Sequence, residues 1–143
     1  MTKNVLLTGG FGTLGGRLAQ LLAEDSQINL RLASRYKQSS PSWAPSAETF
    51  EVNFENSSSI NEMLTGITHV VHLVALNDSE SRADSHNAQR VNVEYTTRVV
   101  EACKPKTRFV YMSTIQVYGS SLVGSIGKKR FKKRTEHKFC RRF

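Results

Sequence analysis

A glycine-rich loop between an apolar run and a segment of helical periodicity constrains the fold more than any other feature of this sequence. Residues 8–15 read T-G-G-F-G-T-L-G, after the apolar residues 5–7 and before leucines at helical spacing. Gly9 allows a tight turn, Gly12 lets the backbone approach a pyrophosphate, and Gly15 permits close packing of helix against strand. The first N–H groups of the helix would then face the phosphates. In this setting the loop predicts a dinucleotide site.

Strands and helices alternate along the chain as far as residue 112. Apolar or alternating segments predict five strands, near residues 5–8, 28–32, 50–52, 70–74 and 109–112. Helical spacing predicts three helices, over 14–24, after a capping box of Ser59 and Glu62, and over 88–102 before Pro105. Such alternation implies parallel strands joined by right-handed crossovers. We therefore expect an α/β fold, a Rossmann-type doubly wound parallel sheet of five strands in the order 3-2-1-4-5.

The positive charge of the chain is confined to its C-terminal end. The formal net charge is +8, but residues 1–127 hold 11 basic and 11 acidic side chains, whereas residues 128–143 hold nine and one. Helical and strand periodicity also stops after Gly127. This predicts a globular part, 1–127, and a basic, disordered tail, 128–143. The alternative is that the tail binds nucleic acid, with Phe131, Phe139 and Phe143 stacking on bases; we prefer a solvated tail.

Several further landmarks fall in the order found in one large family. The loop, the segment H-L-V-A at 72–75, and Y-M-S-T-I-Q-V-Y-G at 111–119 resemble the extended short-chain dehydrogenase/reductase superfamily, specifically the NAD-dependent epimerase/dehydratase family. Asn53 stands where that family usually places an adenine-contacting Asp, and Asn92 matches an Asn on the following helix. The resemblance implies these cofactor-binding residues: Gly9, Gly12, Thr13, Leu14, Gly15, Ser34, Arg35, Asn53, Phe54, Leu73, Ala75 and Asn92.

The end of the second predicted strand favours NADP over NAD. NAD-specific members of such folds carry an acidic residue there for the ribose 2′-hydroxyl. Residues 32–35 read L-A-S-R and contain no carboxylate. Arg35 would pair with the 2′-phosphate of NADP, and Ser34 would hydrogen-bond to it. The alternative is that Arg35 and Lys37 are simply exposed loop charges and that the cofactor is NAD.

The resemblance implies a catalytic Ser/Thr, a Tyr, and a Lys four residues after that Tyr, but only the first is present. Thr114 aligns with the Ser/Thr position. None of the four tyrosines has a Lys four residues later, and Tyr118 matches a structural Val-Tyr-Gly. An unassisted phenol, whose pKa is about 10, is a poor base at neutral pH. We therefore expect a truncated, catalytically incomplete cofactor-binding half of an epimerase, dehydratase or reductase. The alternatives are a non-catalytic NADP sensor and a nucleic-acid-interacting module.

Other features exclude several classes of protein. No apolar run reaches the ~20 residues of a membrane span, and no signal peptide is recognisable, so we expect a cytoplasmic protein. His69 and His72 would point to opposite faces of a strand, and Cys103 and Cys140 lack zinc-site spacing; we expect no metal. A sheet that ends at the fifth strand would leave an exposed edge, which favours self-association.

Overall fold

The computed structural model describes residues 2–113, and these form five strands and the helices between them. Thr114, Tyr118 and the predicted boundary at residue 127 lie outside the described residues. The strands are β1 (Lys3–Thr8), β2 (Ile28–Ser34), β3 (Glu48–Glu51), β4 (His69–His72) and β5 (Arg108–Tyr111). The helices are α1 (Thr13–Ala23), α2 (Ser57–Met63), α3 (Asp78–Ala83), α4 (Ser85–Gln89) and α5 (Thr96–Ala102), with a π-helical turn (Arg90–Tyr95) between α4 and α5.

All four strand pairings are parallel, and the strand order is β3-β2-β1-β4-β5. This confirms the predicted doubly wound α/β sheet. Val5 of the central strand pairs with Leu30 of β2 on one side and with His69 of β4 on the other. The chain therefore leaves β1 in one direction and later returns to its opposite side. The carboxyl end of β1 lies at the point where the strand order reverses.

The two faces of β1 enter two separate hydrophobic clusters, which explains why its sequence is continuously apolar. Leu6 packs on one face with Ile60 of α2 and Val99 of α5. Leu7 packs on the other face with Ala19 of α1. Both leucines are completely buried. Helices on both faces thus hold the loop that follows β1 at a fixed place.

The predicted capping box at the start of α2 is wrong. The helix begins at Ser57, and its N-cap is Asn56, whose Oδ1 accepts the N–H groups of Ser58 (2.8 Å) and Ser59 (3.3 Å). Ser59 lies inside the helix, and its Oγ instead accepts the N–H of Asn53 at 3.0 Å. An Asn side chain outside the first turn reaches the free N–H groups, which a serine already within the helix does not.

The helix predicted over 88–102 is longer and less regular than its spacing suggests. It begins with α4 at Ser85, passes through the π-helical turn, and ends with α5 at Ala102, shortly before Pro105. A separate short helix, α3, precedes it and is not predicted by the apolar spacing of the sequence. Its capping box is formed by Asn77 and Glu80, whose side chains each accept the other's backbone N–H at 2.9 Å.

Candidate functional site

A cleft of about 400 Å³ opens at the carboxyl ends of β1, β2 and β4. A crevice beyond the strand ends, where the strand order reverses, is the usual ligand position in an open α/β sheet. Fourteen residues line the cleft, and seven of them are cofactor-binding residues predicted from the sequence. The lining residues are Gly9, Phe11, Gly12, Ala33, Ser34, Arg35, Tyr36, Gln38, Phe54, Leu73, Val74, Ala75, Leu76 and Val91.

Gly9 makes the turn out of β1 possible. Its φ of +76° lies in the left-handed region that favours glycine. Its carbonyl oxygen accepts the N–H of Gly12 at 3.1 Å, which closes the turn. A Cβ at position 9 would also lie 3.2 Å from the carbonyl carbon of Leu73. The turn thus lies directly against the end of β4, and both together form the floor of the cleft.

Gly12 and Gly15 differ in what surrounds them. A Cβ at position 15 would lie 2.8 Å from the carbonyl carbon of Gly9 and 3.0 Å from the Cα of Gly10, so only glycine fits there. A Cβ at position 12 would have the Gly9 oxygen as its nearest neighbour, at 3.4 Å. Gly12 lines the cleft and Gly15 does not. Position 12 therefore leaves space for a ligand, whereas position 15 allows α1 to pack.

The N-terminus of α1 points its free N–H groups toward the turn. Gly12 is the N-cap, with an extended backbone (φ −81°, ψ 173°) and no side-chain cap. Thr13 and Leu14 form the start of the helix but are not among the lining residues, so any contact with a phosphate would come from their backbone N–H groups. The Gly12 cradle and this helix end together fit a pyrophosphate.

The end of β2 supplies a positively charged wall of the cleft. Ser34 Oγ accepts the N–H of Tyr36 at 3.2 Å, and the Arg35 guanidinium lies 5.7 Å from the centre of the Tyr36 ring. Among the lining residues there is no Asp or Glu. The one charged side chain among the lining residues is therefore that of Arg35.

Asn53 is predicted to contact adenine, but it is not among the residues that line the cleft. Its Oδ1 accepts the N–H of Glu55 at 2.9 Å, and its own N–H donates to Ser59. The neighbouring Phe54 does line the cleft and stacks on Tyr95, with ring centres 5.3 Å apart. Asn53 thus orders the loop that carries Phe54.

Asn92 contacts the cleft wall through Leu76. Its Oδ1 accepts the Leu76 N–H at 2.7 Å, and its Nδ2 donates to the Leu76 carbonyl at 3.3 Å. Asn92 itself is not a lining residue, whereas Leu73 and Ala75 are. The π-helical turn that contains Asn92 therefore fixes the segment after β4 by two hydrogen bonds. π-Helical turns are frequent at functional sites.

His72 lies beneath the cleft, fully buried, and was not predicted to have a role there. Its Nδ1 is 2.8 Å from Thr8 Oγ1, and its Nε2 is 3.1 Å from Thr96 Oγ1. Burial lowers the pKa of His72 to about 4, so the imidazole is neutral at physiological pH. It shares the buried face of β4 with Val70, while His69 lies on the other face, as the strand period predicts. Within residues 2–113, no group of three or more His, Cys, Asp or Glu side chains could hold a metal ion.

Comparison with known proteins identifies the family. A model described as "NAD dependent epimerase/dehydratase family" matches residues 5–138. The chain belongs to this family. The matched range runs past residue 127, where the charge pattern places the end of the globular part. Thr114, which the resemblance aligns with the family's catalytic Ser/Thr, lies outside the described residues.

Relatives of this chain include two dehydrogenases that are longer than it. D-erythronate dehydrogenase of Haemophilus influenzae is 30% identical over 129 residues, which cover 85% of this chain and 41% of that enzyme. The D-erythronate dehydrogenase of Cupriavidus necator is 27% identical over 132 residues, 83% of this chain and 41% of the enzyme. The structure of MoeE5 in complex with UDP-glucuronic acid and NAD is 30% identical and has a TM-score of 0.69, covering 82% of this chain and 39% of that one. The chain thus spans about two fifths of the length of these relatives.

The part of the chain that the structure describes contains no helix long and apolar enough to cross a membrane.

Proposed function

We propose that this chain binds a nicotinamide dinucleotide in the cleft at the ends of β1, β2 and β4. The observation that carries the proposal is the contrast between Gly12, which leaves open space beside an uncapped helix N-terminus, and Gly15, which is closely packed. A pyrophosphate needs such an approach to backbone N–H groups. Membership of an NAD-dependent family and the NAD bound to MoeE5 support the same ligand.

The finer proposal is that NADP(H) binds more tightly than NAD(H). Arg35 and Ser34 line the cleft at the end of β2. The lining residues include no carboxylate, a group that would repel a 2′-phosphate and accept a hydrogen bond from a 2′-hydroxyl. A guanidinium–phosphate pair is a strong, charge-assisted interaction. Tyr36, beside Arg35, holds the guanidinium near the cleft.

A bound nicotinamide would supply hydride transfer, and this chain would contribute the binding and orientation of the cofactor. The chain lacks the Tyr-x-x-x-Lys pair that its resemblance to the family implies for proton transfer. We therefore propose a catalytically incomplete cofactor-binding portion of an epimerase, dehydratase or reductase. The basic residues 128–143, on which a nucleic-acid function would depend, lie outside the described residues. The cytoplasmic location stays a prediction from the sequence.

The test is a titration of the full chain with NADPH and with NADH, followed by fluorescence and thermal shift. A ligand that binds only the folded protein raises its Tm. We expect both cofactors to bind and NADPH to bind more tightly. Arg35→Ala should weaken NADPH binding about tenfold, the loss expected for one charge-assisted hydrogen bond, and leave NADH nearly unchanged.

Lys37→Ala is the matched control, because Lys37 is a nearby exposed cation that does not line the cleft. It removes the same charge and should leave both affinities unchanged. Equal losses in the two variants would assign the effect to general electrostatics. Absence of binding to either cofactor by a folded protein would refute the proposed function.

A further inference from the structure

Thr8, His72 and Thr96 form a buried chain of hydrogen bonds beneath the cleft. All three side chains are at most 4% exposed. The chain continues at both ends: Thr8 Oγ1 accepts the Leu73 N–H at 3.3 Å, and the Thr96 hydroxyl donates to the Asn92 carbonyl at 3.1 Å. It crosses from β1 through β4 to α5. These three elements are therefore joined by polar contacts as well as by apolar packing.

The number of hydrogens fixes the direction of every bond in this chain. A carbonyl oxygen only accepts, so the single hydrogen of the Thr96 hydroxyl is used on Asn92. Thr96 Oγ1 must then accept from His72, which places the imidazole hydrogen on Nε2. The Nδ1 of this neutral tautomer accepts the hydrogen of Thr8. One protonation state satisfies every group.

The surroundings of His72 hold it in that state. Phe54, Phe109 and Tyr111 place their ring centres 6.5, 6.0 and 6.2 Å from the imidazole. Thr8 and Thr96 supply its polar contacts. None of these neighbours is an Asp, Glu, Lys or Arg side chain. A second proton on the ring would therefore have no counter-charge among these neighbours, and it would displace the hydrogen that Thr8 donates to Nδ1.

Both ends of this chain of hydrogen bonds are attached to residues that line the cleft. Thr8 immediately precedes Gly9, whose turn faces the phosphates in the proposed complex. Leu73 lines the cleft directly, and Asn92 holds the lining residue Leu76 by its backbone. A change at His72 would therefore be transmitted to both walls.

We propose that His72, as the Nε2–H tautomer, is a positioning residue for dinucleotide binding. Through Thr8 it fixes the turn at Gly9, and through Thr96 it fixes the helix that holds the segment after β4. This role rests on the proposed function, since it concerns the geometry of the proposed cofactor cleft.

The test compares Thr96→Val with Thr96→Ser in the full chain. Valine has nearly the shape of threonine but leaves the Nε2–H of His72 without an acceptor, whereas serine keeps the hydroxyl. We expect Thr96→Val to bind NADPH about tenfold more weakly, at a temperature where circular dichroism shows it folded. Its Leu73 and Leu76 amides should also exchange hydrogen faster. Thr96→Ser should restore both properties to nearly wild-type values.

A second measurement uses only the wild-type chain and therefore does not depend on the folding of a variant. The ¹⁵N chemical shifts of the His72 ring in the wild-type chain report its tautomer, and we expect the hydrogen on Nε2. Hydrogen on Nδ1 would overturn the proposal, as would unchanged NADPH affinity and amide exchange in Thr96→Val. A wild-type chain that binds neither cofactor would overturn the proposed function and this role together. Normal wild-type binding with an unaffected Thr96→Val would overturn this role alone.

Discussion

Gly15 packs against the peptide group of Gly9, so closely that a Cβ at position 15 would lie 2.8 Å from the carbonyl carbon of Gly9. The same carbonyl group accepts the N–H of Gly12 and thereby closes the turn after β1. Helix α1 is thus attached to its own phosphate-facing turn by direct backbone contact. The glycines of the motif perform separable tasks, which substitutions can distinguish.

Gly12→Ala should fold normally but bind cofactor poorly. The position has an ordinary φ of −81° and room for a Cβ, so we expect the free energy of unfolding to change by less than about 1 kcal/mol. The added methyl group would occupy the space proposed for the pyrophosphate and weaken NADPH binding at least about tenfold. Urea unfolding and NADPH titration measure the two effects. Strong destabilisation would contradict this assignment.

Gly15→Ala should have the opposite effect to Gly12→Ala: it should mainly lower the stability of the protein and affect cofactor binding less. Forcing a Cβ against the Gly9 backbone should cost about 1–3 kcal/mol. Gly16→Ala is the matched control in the same helical turn, because its Cβ would lie 3.5 Å from the nearest atom. It should stabilise the protein by about 0.5–1 kcal/mol through helix propensity. Equal effects at positions 15 and 16 would refute the packing argument.

His72 should make the protein less stable in acid. Its pKa falls from 6.5 to about 4 on folding because burial disfavours the charged ring. As pH drops below 6.5, the unfolded chain takes up a proton that the folded one does not bind until about pH 4. The free energy of unfolding should therefore fall over this interval, by about 3 kcal/mol from this group. Urea unfolding from pH 7.5 to 4.5 measures the slope.

The control for this pH dependence is His72→Gln, which cannot titrate. Its absolute stability will be lower, but its slope between pH 6.5 and 4.5 should be smaller than that of the wild type. The carboxylates contribute equally to both curves and cancel in the difference. Parallel curves would show that His72 does not titrate as proposed.

As the N-cap of α2, Asn56 should contribute about 1 kcal/mol to the free energy of unfolding. Asn56→Ala removes the acceptor of the Ser58 and Ser59 N–H groups, and thermal or urea unfolding should detect the loss. Ser57→Ala is the control, since the Ser57 side chain makes no hydrogen bond among the described residues. A larger effect at Ser57 than at Asn56 would place the cap elsewhere.

We expect the chain to self-associate through β5, because β5 is an edge strand of the described sheet. Val110 is 50% exposed there. Val110→Lys should reduce concentration-dependent association in sedimentation velocity, because a charge on an edge strand opposes pairing with another chain. Val93→Lys, at a similarly exposed valine on the π-helical turn, should leave association unchanged. A wild-type chain that stays monomeric at all concentrations would contradict the prediction.

The strand order and the glycine loop could be predicted from the sequence because their signals are local. Apolar runs mark buried strands, and the spacing of Gly9, Gly12 and Gly15 lies within one turn and the start of one helix. Alternation with helices then leaves few topologies, since crossovers are right-handed. The same local reasoning predicts that Ser34 and Arg35, at the end of β2, lie at the cleft, and both residues line it.

The polar contacts beneath the cleft could not be predicted in this way. Thr8 and His72 are 64 positions apart, and a histidine in an apolar strand gives no sign of its partner. The sequence predicts the N-cap of α2 three residues too late, at Ser59, because Asn56 and Ser59 are both good caps and only the backbone path decides between them. Hydrogen-bond partners depend on tertiary geometry, which residue periodicity does not encode.

The π-helical turn at Arg90–Tyr95 makes the length of this segment as important as its composition. Its hydrogen bonds span five residues instead of four, so it holds one residue more than an α-helical turn would. Deleting any one of these six residues would allow a regular helix to form. Where the deletion falls between Asn92 and Thr96, Thr96 would lie three residues after Asn92 instead of four, which would shift its hydroxyl relative to the Asn92 carbonyl and the His72 ring. We therefore expect homologous chains that carry both Asn92 and Thr96 to keep the spacing of four residues between them.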